Sequence, residues 1–530
     1  MPVTEAPKNK ERSLAQRMAA SPGRWLVLFS VIYFFAEICA NARRPFWFDE
    51  LFTIYLADLP SPRQIWPLIA RGIELNPPLP FWIAWVMRHA FGEGEIVSRI
   101  PAITGFWVMC LCLYHFVRRR TDPLYGFVAL LFPVFTYTEW NSNEARGYGL
   151  LLGFCGLAIL CWQLANDGVR RPFPAIGLAL SIAGAISCHY YALYVAGAFA
   201  LGEAIRTLHL RRVNAAIWIA LAAGISPLVA YLPLIRTGAR ALKTFWTPPM
   251  AEFIYSSYAD ILGPAAVVFF LLLAVLLWNP DLTHTRWQPS PLAGNEVVTI
   301  LALLAMPLVV YLATYFAPVG FYMRYVQPVV LGAAVILAMF AYRIGGTNGR
   351  FRDLLATVLV CFCLIPWTLW QSSKVFLMSP PRIVNNLNIG VEPNLPVVID
   401  SDNDFLASYH YGPPEVRARI FLLADFPAAV RYLGADTSLR SMVVGQSFRD
   451  LHVVDYHKFV AEHGEFLLAR TRGASWITQK LIADGAQIQL LEMKKELGSF
   501  AQESLLFKVT MGLRQRAASG TDGASFEKPR

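Results

Sequence analysis

Charge is scarce in this chain: only 15% of its 530 residues are Asp, Glu, Lys or Arg, against 56% hydrophobic side chains. Soluble globular chains carry about 25% charged residues, so the shortage excludes an ordinary soluble fold and indicates a polytopic membrane protein. The cysteine spacing of a zinc site or a disulfide framework is absent as well. The eight cysteines (Cys39, Cys110, Cys112, Cys155, Cys161, Cys188, Cys361 and Cys363) lie in apolar stretches, as small core residues do, and suggest neither a zinc site nor a disulfide framework. No internal repeat or low-complexity block occurs. The formal net charge of +10 falls in short basic clusters between apolar segments, which marks cytoplasmic loops rather than a nucleic-acid surface.

What is present is a succession of apolar runs, each compared with the roughly 20 residues a membrane span needs. The basic start MPVTEAPKNKERSLAQR precedes WLVLFSVIYFFAEICANA, where Ala40-Asn41-Ala42 imitates a signal-peptide cleavage site. The length of this run and the spans after it favour an uncleaved first span over residues 25–42, with residues 1–24 cytoplasmic. LPFWIAWVMRHAF, starting at Leu79, is short and carries Arg88 and His89, so it is expected to lie along the surface. The first outer loop then extends over about 43–99. This register puts Arg118-Arg119-Arg120, Arg170-Arg171, Arg211-Arg212 and Arg343 on one side and gives about eleven spans within a transmembrane domain covering 25–371. A second long outer loop covers about 236–262, and further spans start near Gly263, Glu296 and Tyr325 before the last one, LLATVLVCFCLIPWTLW. After Trp370 charges become frequent and apolar runs shorten, as in PVVID and ARIFLLAD. That pattern predicts a small α/β domain over 372–510, on the outer side, and a disordered tail over 511–530.

In this topology the unusual polar residues converge on the outer face. FWFDELFTIY supplies Asp49 and Glu50; Glu74 and Asn76 precede Pro77-Pro78; EARGYGLL holds Glu144, Arg146 and Tyr148. His189, Tyr190 and Tyr191 follow one ascending run, Arg240 and Lys243 lie in the second long loop, and Arg324 stands beside Tyr325. Ionisable groups next to apolar surroundings are costly and usually functional, although any one of them also fits an interfacial anchor or a structural ion pair. A carboxylate can take a proton from an attacking hydroxyl while Arg and Lys stabilise charge growing on a departing phosphate. The aromatic neighbours Phe46, Trp47, Phe48 and Tyr55 suit either sugar stacking or a membrane belt. Asp49, Glu50 and Glu144 are also the candidate ligands of a divalent metal, while no cofactor is certain.

These ordered segments resemble the GT-C class of membrane glycosyltransferases, in the group of protein O-mannosyltransferases, the lipid A aminoarabinose transferase and rhizobial galacturonosyltransferases. The resemblance covers residues 25–345: the Asp49-Glu50 pair, NPPLPFWIAWVMRHAFGEGEIVSRIPA, EARGYGLL, HYYALYV and RYVQPVV. It implies a GT-C fold and inverting transfer of a sugar from a polyprenyl-phosphate donor to a periplasmic glycan, lipid or protein acceptor. It further implies a bacterial inner-membrane location with the C-terminal domain periplasmic. By the same resemblance Asp49 is the expected base with Glu50 as its neighbour, and Arg146, Lys243 and Arg324 are expected near the donor phosphate. Asn76, Glu144, Tyr148, His189, Tyr190 and Tyr191 are expected to contact substrate. Two positions depart from the family pattern: Asn76 stands for its usual His and Gly147 for its usual Pro. The rival classes are a transporter or flippase of lipid-linked saccharides, since charges beside spans also mark translocation paths, and a non-catalytic assembly subunit.

Overall fold

The computed structural model describes residues 12–241 apart from 43 and 169–171, then 249–259, 261, 263, 274, 278, 291–364 apart from 318–319, 387, 389–495 apart from 472, and 503–512. Helices dominate up to residue 364, and a mixed sheet follows. Among the described residues, Pro22–Asn41, Glu95–Arg118 and Tyr148–Asn166 are long and apolar enough to cross a membrane, and two bent helix pairs raise the number to five. Shorter apolar helices include Phe173–Cys188 and Val329–Gly345. The expectation of about eleven spans continues to rest on the basic loops. The span near Gly263 and the end of the last one fall largely outside the described residues.

Three of the runs read as continuous spans are broken helices, a correction with a visible cause in proline. The run from Ala215 divides into Ala215–Ile225, Pro227–Ala230 and Leu232–Ala241, with a 65° bend before the last. Gly294–Leu304 and Met306–Ala313 meet at 57°. Pro227, Pro233 and Pro307 each occupy the first turn of the following helix, where a missing N–H is harmless but the hydrogen bond back to the preceding turn is lost. Likewise Pro133 lies in a 3₁₀ turn, Phe132–Phe135, that separates Pro123–Leu131 from Tyr137–Ser142.

Among the described residues, Glu95–Arg118 and Tyr148–Asn166 pack backbone against backbone. A Cβ on Gly153 would sit 2.6 Å from the Gly105 carbonyl oxygen, and one on Gly156 would sit 2.6 Å from Met109 Cα. Small residues thus let two backbones touch, the packing device of membrane helices, which have little hydrophobic drive to associate. This contact holds the start of the Tyr148 helix, and Arg146 just before it, in a fixed place.

The C-terminal domain is a six-stranded sheet formed by β1 (Val397–Ile399), β2 (Ile420–Ala424), β3 (Val453–Asp455), β4 (Glu465–Thr471), β5 (Gln487–Lys495) and β6 (Glu503–Thr510). The order is β3-β2-β1-β4-β6-β5; the first four strands are parallel, and β6 runs antiparallel to β4 and β5. The central strand β1 is buried throughout, which is why it reads as the unbroken apolar run VVI.

The domain is seated on the first outer loop. Asp58 accepts from Arg88 and from Arg449, each at 2.7 Å, and Arg449 lies over the Tyr55 ring. The Phe46 N–H donates to Tyr411 Oη at 2.6 Å, and His410 packs against Phe46 and Tyr55. One apolar core runs from Leu51, Ile54 and Leu56 through Phe405 and Leu406 into the strands. The Leu79–Phe91 helix, read as a surface piece, packs against the Phe48–Ala57 helix beneath this seat.

Candidate active site

The Phe48–Ala57 helix begins at the sequence that carries both acids, and its geometry separates them. Consecutive residues on an α-helix point about 100° apart, so Asp49 and Glu50 cannot face the same way. Glu50 is fully buried. Its Oε1 accepts from Arg99 Nε at 2.8 Å and from the Ala145 N–H at 2.7 Å; its Oε2 accepts from Arg99 Nη2 at 2.7 Å and caps the helix through the Trp47 N–H at 3.2 Å. Arg99 is completed by the carbonyls of Asn41, Arg44 and Pro45. Burial works to raise the Glu50 carboxyl, but Arg99, with Arg44 and the Ala145 N–H, outweighs it and holds the group below the usual carboxylate range. A charge pair this deep is sustained only by such complete hydrogen bonding.

Asp49 points the other way, into a cavity of about 700 Å³ between the helical body and the C-terminal domain. Its Oδ2 accepts from both Arg146 and Arg324, the latter at 3.0 Å. Arg146 also lies 3.7 Å from Glu74 Oε1, and Asn76 Nδ2 donates to Glu74 Oε2 at 2.9 Å. The two guanidiniums are placed by aromatic faces, Arg146 over Tyr148 at 5.2 Å and Arg324 over Trp47 at 5.3 Å. Burial pushes the Glu74 carboxyl up, and Asp49 adds to the rise.

His189 closes the side of this arrangement. Its ring packs against Tyr148, Tyr191 and Tyr325, and its Nδ1 accepts from the Tyr191 N–H at 3.2 Å. Burial, assisted by Arg146, lowers the imidazole to about 3, so it is neutral at pH 7. Gly147 has an ordinary φ of −74°, and its reason is space: a Cβ there would lie 2.7 Å from Pro80 Cγ.

Of the residues expected at the site, Asp49, Asn76, Arg146, His189, Tyr190, Tyr191 and Arg324 line the main cavity. Tyr148 lines a small annex beside Asn76, Arg146 and His189. Glu50 and Glu144 do not line it. Glu144 lies behind, 3.9 Å from Arg44, where burial raises it to about 7. Lys243 falls outside the described residues. Residues not foreseen are Arg99, which organises Glu50, and Asn403, Thr437, Ser438 and Ser441 of the C-terminal domain, which form the far wall. Arg99 had one sequence signal: an arginine set between apolar residues in IVSRIPA. The cavity also holds two groups in want of partners: Trp47 Nε1 and Tyr190 Oη are buried and make no hydrogen bond among the described residues.

The candidate metal ligands do not form a donor set. Both Glu50 oxygens are occupied by Arg99 and backbone N–H groups, and no group of three His, Cys, Asp or Glu side chains suited to a metal occurs among the described residues.

Comparison with known proteins agrees with this architecture. Residues 76–235 match the family model of dolichyl-phosphate-mannose-protein mannosyltransferases. Among solved structures, ArnT from Cupriavidus metallidurans in the apo state aligns at TM-score 0.56 and 11% identity, over 92% of this chain and 98% of that one. The same protein bound to undecaprenyl phosphate aligns at TM-score 0.51 and 13% identity, over the same shares. No curated protein sequence matches the chain. At these identities the likeness is one of fold, shared with ArnT along nearly the whole chain.

Proposed function

We propose that the protein is a glycosyltransferase that moves a sugar from a polyprenyl-phosphate donor to a glycan, lipid or protein acceptor, with inversion at the anomeric carbon. The reading places it in a bacterial inner membrane with the cavity on the periplasmic face. The observation that carries it is the shared grip of Arg146 and Arg324 on one oxygen of Asp49 at the cavity wall. Two guanidiniums meeting at one point of the cavity wall suit a phosphate with several oxygens better than a single carboxylate. The solved relative with undecaprenyl phosphate bound supports a lipid phosphate as their ligand.

The same geometry supplies a sequence of events. In this arrangement one oxygen of Asp49 is occupied by both guanidiniums. A donor phosphate entering between the arginines takes over their hydrogen bonds and frees the carboxylate. Asp49 then accepts the proton of the acceptor O–H as that oxygen attacks the anomeric carbon. The bond from this carbon to the phosphate oxygen breaks, and the lipid phosphate leaves with its electron pair and an added negative charge, stabilised by Arg146 and Arg324. Attack from the face opposite the leaving phosphate inverts the centre. Neutral His189 and its tyrosine neighbours bound the pocket without adding charge, and the unpartnered Trp47 and Tyr190 groups are available to the sugar. Glu50 acts one step back. By gripping Ala145 it ties the segment bearing Arg146 to the helix bearing Asp49.

Asp49→Asn tests the base directly. Transfer should fall by about 10²- to 10⁴-fold with unchanged expression and thermal stability, measured with purified protein and a polyprenyl-phosphate sugar. Transfer near the wild-type rate would remove Asp49 from the mechanism.

A further inference from the structure

The C-terminal sheet changes direction between β1 and β4: from β1 the chain builds outward to β2 and β3, then returns to place β4 on the other side. In open parallel sheets the connections leave such a pair of strands in opposite directions and part a crevice at their carboxyl ends, where ligands bind. A cavity of about 270 Å³ lies there, bounded by Asp400 and Asp402 after β1 and by Arg470 and Thr471 at the end of β4.

The crevice has a closed back and an open front. Asp400 is committed: it accepts from Ser475 and from Thr478 Oγ1 at 3.3 Å, and lies 3.6 Å from Arg470 Nε. Arg470 is committed too, donating to Thr478 Oγ1 at 3.1 Å and to the Gly473 carbonyl. At the front, Ser438 Oγ donates to Asp402 Oδ2 at 2.5 Å, and the other Asp402 oxygen has no hydrogen-bond partner among the described residues. Asn403 and Ser438 line this crevice and the 700 Å³ cavity alike, so the crevice adjoins the site beside Asp49.

Its chemistry selects a class of occupant. A volume just under the range of about 300–1,000 Å³ typical of drug-sized ligand pockets suits one small unit rather than a lipid chain. Two carboxylates repel an anion, and the one arginine is already neutralised. A free carboxylate oxygen, an amide and a hydroxyl, arranged side by side, match neighbouring hydroxyl groups on a ring, with Trp476 as an apolar wall. We propose that this crevice is a subsite for a non-anionic, hydroxyl-rich sugar unit of the acceptor, contacted by Asp402, Asn403 and Ser438. The proposal rests on the transferase reading for the word acceptor, while the binding itself stands apart from it.

The test uses the full-length protein in lipid nanodiscs with three soluble probes: methyl α-glucoside, methyl α-glucosaminide and methyl α-galacturonoside. Saturation-transfer NMR should show binding of the first two and not of the uronate. Ser438→Trp, which fills the crevice, should weaken that binding by about tenfold or more, and Asp402→Ala, a smaller change, by about fivefold. In a transfer assay Asp402→Ala, whose side chain lines the crevice and not the main cavity, should raise the acceptor KM by a similar factor and leave the donor KM unchanged. Preferred binding of the uronate, or wild-type binding by both variants, would overturn the subsite. If the wild-type chain transfers no sugar to any acceptor, the transferase reading falls, while the probe measurements still decide whether the crevice binds sugars.

Discussion

The two walls of the main cavity are built from different chemistry. The wall contributed by the helical body carries Asp49, Glu74, Arg146 and Arg324, ion-paired and backed by aromatic rings. The wall contributed by the C-terminal domain carries Asn403, Thr437, Ser438 and Ser441, all uncharged. Charged groups fixed in place suit a reaction in which charge develops, because they need no reorganisation as it proceeds. Neutral donors and acceptors discriminate among hydroxyl patterns with little effect on such charge. On the proposed function, the contrast assigns chemistry and acceptor choice to separate parts of the chain, joined by the seat of Arg449 on Asp58 and Tyr55.

The contrast breaks most severely at Glu50, the support of the charged wall. Glu50→Gln leaves Arg99 buried without a countercharge and should cost about 3–5 kcal/mol of stability, read as a large drop in thermal midpoint or loss of the folded protein. A variant as stable as the wild type would contradict the supporting role. This outcome is the reverse of that expected for Asp49→Asn, where activity falls and stability holds.

A smaller effect is expected from Glu144, whose folded-state value of about 7 lies above the ordinary value of 4.5. Between these limits the folded state binds more of this proton than the unfolded chain does, so the contribution to stability falls as pH rises from about 4.5 to 7. Denaturation followed across that window should show the decline, and Glu144→Gln should flatten it. An unchanged pH slope in the variant would assign the titration elsewhere.

The smallest effect belongs to the neutral wall. Ser441→Ala removes one hydroxyl that also bonds the Thr437 carbonyl at 3.3 Å, and should change acceptor KM by less than about tenfold with kcat unaltered. A large loss of kcat would erase the division between the two walls.

Much of the charged wall was legible in the sequence. The basic loops brought Asp49 and Arg146 to one side, and the resemblance of EARGYGLL and RYVQPVV added Arg146 and Arg324. The adjacency of Asp49 and Glu50 was the misleading part, because neighbours in sequence diverge on a helix, and the burial of Glu50 depends on Arg99 about fifty residues later. The broken helices were marked by Pro133, Pro227, Pro233 and Pro307, yet composition alone could not show that the chain bends at them. The neutral wall was illegible for a simpler reason. Serine, threonine and asparagine on the surface of an α/β domain carry no pattern until the fold places them over a cavity.

The central claim is that the two arginines serve a lipid phosphate and that Asp49 yields them to it. Binding of undecaprenyl phosphate to the purified protein, compared among wild type, Asp49→Asn and the Arg146→Gln, Arg324→Gln double variant, measures this directly. The account predicts tighter binding by Asp49→Asn, which no longer competes with a charge, and binding weakened by about 100-fold or more in the double variant. Equal binding by the wild type and the double variant would contradict it.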